Sequence, residues 1–154
     1  MAVGGSTDAV KPQRRSVHRT QWAAQFAVAS ELCKQGYEVA FTMGNHPSVD
    51  LMVTSPNGVP FGIDVKGLYR RNFWVVKPKP LKSNLFYVFA FVPDGAANQF
   101  FVLSQAEVND EVAKQDERAR QAALAKGKAG AAAFPCIGWR EASNYRDRWR
   151  VLPD

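Results

Sequence analysis

The feature that most constrains the fold is a pair of alternating segments, SVDLMV and GIDVKG, separated by Ser55-Pro56-Asn57-Gly58. Proline followed by Asn-Gly is turn chemistry and the flanking alternation is strand chemistry, so the spacing predicts a β-hairpin. Side chains of a strand alternate faces with period two. Asp64 and Lys66 therefore share one face, while Ile63 and Val65 point oppositely into a core. Val49, Leu51 and Val53 flank Asp50 in the same alternating manner. Two acids and one lysine then converge across neighbouring strands, where a divalent cation and a phosphate could be held.

A hairpin needs a body to pack on. With 154 residues, 46% hydrophobic and 22% charged content, the chain suits one globular domain with a real core. Cys33 and Cys136 have neither a C-x-x-C spacing nor a histidine cluster nearby, so they read as reduced, partly buried thiols of a cytosolic protein, and zinc is not expected. No apolar run approaches the roughly 18 to 20 residues of a membrane span. The N-terminus lacks the apolar core of a signal peptide, so no membrane partner and a cytoplasmic location are expected. A net charge of +6, with a pI near 9.5, biases the partner toward a polyanion.

Residues 1–18 mix glycine, serine and threonine with Lys11, Arg14 and Arg15 and show no apolar period. They read as a mobile basic arm before a single domain over 19–154. Thr20 is the expected N-cap of a helix over 20–35 ended by Gly36, with Trp22, Phe26, Ala29 and Cys33 at helical spacing. Strands are expected over 37–42, around Asp50, over 59–66, over 85–92 as a central strand buried on both faces, and over 99–103. Ser104 with Glu107 forms a capping box for a polar helix to about Lys126, and 122–133 reads as its loosening end. Trp139, Tyr145 and Trp149 mark a basic tail that folds back onto the domain. Trp139, Trp149 and Phe134 are expected to be structural.

Between Lys66 and Lys82 the bases Arg70, Arg71, Lys77 and Lys79 stand without a single acid, interleaved with Tyr69, Phe73 and Trp74. Charge and aromatics together suit nucleic acid. A solvated basic hairpin is the plain alternative, and core packing is the expected fate of at least two of the three aromatics.

A helix followed by three strands, with Asp50 at the second strand and Asp64-Val65-Lys66 at the third, resembles the PD-(D/E)xK nuclease superfamily, which includes restriction endonucleases and archaeal Holliday-junction resolvases. The resemblance spans about residues 20–103. It implies an α/β, restriction endonuclease-like αβββαβ core with a central mixed sheet flanked by helices. In that pattern the first helix gives a glutamate, the second strand an aspartate and the third an acid-x-lysine pair. Asp50, Asp64 and Lys66 match directly, and Gln25 stands where the glutamate usually does. Glu31 is the reserve candidate, but it lies about 240° around the helix from Gln25, at roughly 100° per residue, so Gln25 looks inward with Trp22, Ala29 and Leu32 while Glu31 falls on the wetter side near Lys34 and Gln35.

The resemblance implies Mg2+ (or Mn2+) held by Asp50, Asp64 and the Val65 carbonyl, with Lys66 beside the attacking water and the phosphate. Arg70, Arg71, Lys77, Lys79 and Lys82 would contact nucleic acid. His46 is a further candidate for substrate contact, although a lone loop histidine is commonly polar surface. The expected activity is metal-dependent endonucleolytic hydrolysis of DNA, with a homodimer supplying one site per strand. Two alternatives stand beside it: a catalytically inactive nucleic-acid-binding module of the same fold, and a partner protein whose basic face meets an acidic protein.

Overall fold

The hairpin around Asn57-Gly58 organises the sheet. In a computed structural model, which describes residues 14–130 and 132–154, β2 (Leu51–Thr54) runs antiparallel to β3 (Pro60–Leu68), with Leu51 opposite Ile63. Gly58 sits at φ +84°, a conformation that disfavours a side chain, and Ser55 closes the turn through the Val59 and Gly58 amides. β1 (Glu38–Phe41) pairs antiparallel with the outer edge of β2. On the other side of β3 lies β5 (Leu85–Phe91), parallel to it, followed by antiparallel β6 (Gln99–Ser104). The five-stranded mixed sheet has the order β1-β2-β3-β5-β6.

Every residue of β5 is buried, as expected of a strand covered on both faces. Phe86, Val88 and Ala90 face a core beneath α1 (Val17–Lys34); Leu85, Tyr87, Phe89 and Phe91 face a second core that includes Val108 of α2 (Gln105–Ala125). Ile63 and Val65 lie in the α1-side core, so the alternation along β3 is as the sequence predicts. The capping box of Ser104 and Glu107 opens α2 as expected.

Several details depart from expectation. The α1 N-cap is Ser16, whose hydroxyl accepts from the Arg19 amide at 3.2 Å, while the Thr20 hydroxyl donates back to the Ser16 carbonyl. Residues 1–13 of the expected arm lie outside the described residues. Arg15 is docked, donating to the Val92 carbonyl at 2.7 Å and pairing with Asp94.

The buried face of α1 is Thr20, Ala24, Gln25, Val28, Ala29 and Leu32, so Gln25, Ala29 and Leu32 look inward as expected, while Trp22 is half-buried and Phe26 and Cys33 are exposed. Small residues win that face because α1 crosses β3 at Gly67. A Cβ built there would lie 2.7 Å from that of Ala24 and 3.0 Å from the Thr20 carbonyl oxygen. The aromatics lie along the outside instead, Trp22 stacked on Phe26 at 5.6 Å and Phe26 tilted against Phe41 at 5.0 Å.

The expected αβββαβ order places a helix between the third and fourth strands. Here that connection is β4 (Trp74–Val75) and an extended, proline-containing segment, and α2 follows β6. β4 forms no solvated hairpin; it pairs antiparallel with β7 (Cys136–Ile137). The tail continues through α3 (Trp139–Ala142) and folds back as expected, with Trp139 stacked on buried Trp74 and Trp149 against Phe100. Phe134, expected to be structural, is exposed and meets exposed Phe73 edge-on. Cys136 is buried. Among the described residues no helix is long and apolar enough to cross a membrane.

Candidate active site

The site forms where β2 ends and β3 runs on. From Asp50 backwards the chain leaves the ladder, so the backbone of β3 beyond Ile63 loses its partner on that side. Buried amides and carbonyls need partners. The Asp50 Oδ2 accepts from the Val65 amide at 2.8 Å, and Gln21 bridges the next two groups, donating to the Val65 carbonyl at 2.7 Å and accepting from the Gly67 amide at 3.2 Å. Gln25, one helical turn from Gln21, donates to Asp50 Oδ1 at 3.1 Å. Two glutamines of one α1 face thus fix the second-strand aspartate and the third-strand backbone.

Asp64 projects to the opposite face of β3 and is 2% exposed. Lys66 Nζ lies 2.6 Å from its Oδ1, and Lys79 Nζ pairs with its Oδ2. Asp64 Oδ1 nevertheless receives no aligned hydrogen bond, so one buried carboxylate oxygen keeps unused acceptor capacity. Lys79 also donates to the Ser48 carbonyl at 3.1 Å.

Burial pushes the Asp50 carboxyl above its ordinary value. The neighbouring Asp64 charge adds to that, while the Val65 amide, Lys66 and Lys79 oppose it. The Tyr87 hydroxyl, opposite Asp64 on β5, is pushed up by burial and then by the Asp64 charge. Its phenol therefore stays protonated throughout the neutral range.

Of the residues expected at the site, Gln25, Asp50, Asp64, Val65 and Lys66 come together. Two do not join them. Glu31 pairs with Lys34 at 2.9 Å on the outside of α1, and His46 is an exposed loop residue whose Nδ1 accepts from the Ser48 amide. Lys79, expected on an outer nucleic-acid surface, is instead an inner member of the site. Arg70, Arg71, Lys77 and Lys82 are exposed, with Arg70 over the Tyr69 ring at 5.2 Å and Arg71 over Trp139 at 4.6 Å. Of the three interleaved aromatics only Trp74 is fully in the core; Tyr69 is half-buried and Phe73 exposed.

The chain matches no protein-family model, no curated protein and no solved structure.

Gln21 stands outside the residues that the resemblance implies, although its spacing of four from Gln25 is a legible signal for one helix face. Among the described residues no three His, Cys, Asp or Glu side chains gather in one place. A cation here would rest on two carboxylates, the Val65 carbonyl and oxygens brought by a ligand. That donor set suits magnesium, which is held by one or two carboxylates and completes its shell with water and phosphate. Asp64 Oδ1, with the Lys66 ammonium 2.6 Å away but no aligned donor, keeps a lone pair that makes the residues compatible with such an ion.

Proposed function

We propose that this protein is a metal-dependent endonuclease that hydrolyses phosphodiester bonds of DNA, on a variant of the restriction endonuclease-like core in which β4 and an extended segment replace the crossover helix. The observation that carries the reading is the convergence of Gln25, Asp50, Asp64 and Lys66 from α1, the start of β2 and β3, with a buried carboxylate oxygen left without an aligned donor. Asp50, Asp64 and the Val65 carbonyl would hold a magnesium or manganese ion, which would supply positive charge beside the phosphate and lower the pKa of bound water. Lys66 stabilises the negative charge that grows on the phosphoryl oxygens as water attacks phosphorus in line. Gln25 and the Val65 amide hold the Asp50 carboxylate in one orientation, so little reorganisation accompanies the reaction. By family resemblance the products are a 5′-phosphate and a 3′-hydroxyl. Arg70, Arg71, Lys77 and Lys82 track the phosphate backbone, and a homodimer cuts both strands of a duplex.

A second reading, a DNA-binding module without catalysis, is favoured by the ion pair of Lys79 with Asp64, which together with Lys66 balances the charges of both aspartates. Plasmid and branched-DNA cleavage with Mg2+ or Mn2+ separates the two. The wild type is expected to cut, and Asp64→Ala and Lys66→Ala to lose at least about a hundredfold in rate. Metal-dependent cutting that survives both substitutions overturns the site assignment. Salt-dependent DNA binding with no cutting by the wild type establishes the module.

A further inference from the structure

Between β4 and β5 the stretch from Lys79 to Lys82 is tied to α2 through one side chain. Gln105, the first residue of α2 and 1% exposed, donates to the carbonyls of Lys79 at 3.2 Å and Pro80 at 3.0 Å and accepts from the Lys82 amide at 2.7 Å. Pro78 and Pro80 flank Lys79 and fix the local backbone. Lys79 is thereby delivered inward, its side chain 18% exposed, between Asp64 Oδ2, the Ser48 carbonyl and the face of Tyr87 at 5.7 Å. A buried amide committed to an otherwise irregular segment, and an ammonium committed to the very carboxylate that would take a cation, belong to one arrangement.

We propose that Lys79 is the second cationic group of the site. It neutralises Asp64 while no divalent cation is bound and turns to the substrate phosphate when cation and phosphate enter, with Gln105 holding its segment within reach of both. The proposal rests on the nuclease reading above. With Lys66 and Lys79 both in place the site is formally neutral, and a divalent cation added beside them would be repelled by two ammonium groups within a few ångströms. Asp64 is fixed on a strand by a short side chain, whereas lysine carries its charge on a flexible four-carbon stem. Lys79 is therefore the member that moves. A phosphate oxygen offers it an acceptor to replace Asp64.

Manganese titration of the full chain without DNA, read by calorimetry, tests the exchange. Lys79→Met is expected to bind Mn2+ about tenfold more tightly than the wild type, and Lys79→Arg to stay near it. Lys77→Met and Lys82→Met, which remove the same charge from the same segment, are expected to gain far less. Gln105→Ala, which loosens the segment without changing charge, is expected to gain in the same direction. Equal Mn2+ affinity in wild type and Lys79→Met, no binding by either, or an equal gain in the Lys77 and Lys82 variants overturns the proposal. No gain in Gln105→Ala removes Gln105 from it. If Lys79→Met does not fold, Lys79→Gln carries the same comparison. A wild type that cuts DNA while Lys79→Met shows no gain sinks this proposal alone; a gain in a protein that cuts nothing sinks the nuclease reading alone.

Discussion

Asp50 accepts two hydrogen bonds and still resists ionisation, because burial and the Asp64 charge outweigh the Val65 amide and the two lysines. A carboxyl whose folded value is raised stabilises the fold when protonated and withdraws that contribution as pH climbs through the raised value. Unfolding in denaturant should therefore show Asp50→Asn gaining on the wild type as pH rises from near 3.8, the ordinary value. A constant difference across that range would contradict the burial argument. The same shift bears on catalysis, since only the charged form helps hold a cation. Mn2+ affinity measured without DNA should therefore begin to fall, on acidification, at a pH above the ordinary carboxylate range. At this scale Asp50, Asp64 and Lys66 were legible because strand period and turn chemistry fix which side chains meet. Lys79 was legible as a charge but not as a site member, since its partner depends on where an irregular segment passes.

At the scale of elements, the contact that positions the site is the crossing of α1 over β3. Gly67 permits it, for a Cβ there would meet Ala24 and the Thr20 carbonyl. Gly67→Ala should destabilise the fold by about 1–3 kcal/mol, the cost of overpacking a close contact. Because Gln21 and Gln25 ride on the same helix, it should also weaken their hold on Val65 and Asp50. Equilibrium denaturation checks the first effect. Unchanged stability would mean that α1 moves aside freely. The hairpin, the buried central strand and the α2 capping box were readable from local chemistry. The inner face of α1 was readable at Gln25, Ala29 and Leu32 but not at Trp22, which stays half-buried because the close crossing at Gly67 demands a residue as small as Ala24. Nor was the link between β3 and β5 fully readable: a parallel pair calls for a crossover, and nothing local shows that β4 pairs with a strand some sixty residues on, at Cys136–Ile137.

Across the whole molecule the charge is uneven. The exposed bases Arg70, Arg71, Lys77 and Lys82 belong to one acid-free connection, whereas Lys66 and Lys79 are turned inward onto Asp64. If that connection meets phosphate, DNA affinity should fall linearly with the logarithm of salt concentration. Replacing any one of the exposed bases with alanine should lower the slope by about one. Fluorescence anisotropy over a salt series measures this. A slope unchanged by all four substitutions would move the nucleic-acid surface elsewhere on the molecule.

The sequence by itself determined what period-two alternation, turn residues and caps control: the hairpin, the pairing of Asp64 with Lys66 on one face, a strand buried on both sides, and the start of α2. Those signals act between residues a few positions apart, where backbone geometry leaves little choice. Only the tertiary structure decided which cations face Asp64, how closely α1 crosses β3 at Gly67, and how Gln21 and Asp50 take up the backbone that β2 leaves unpaired. These outcomes depend on where distant segments run past one another. Packing and the satisfaction of buried polar groups settle that, and no local pattern encodes it.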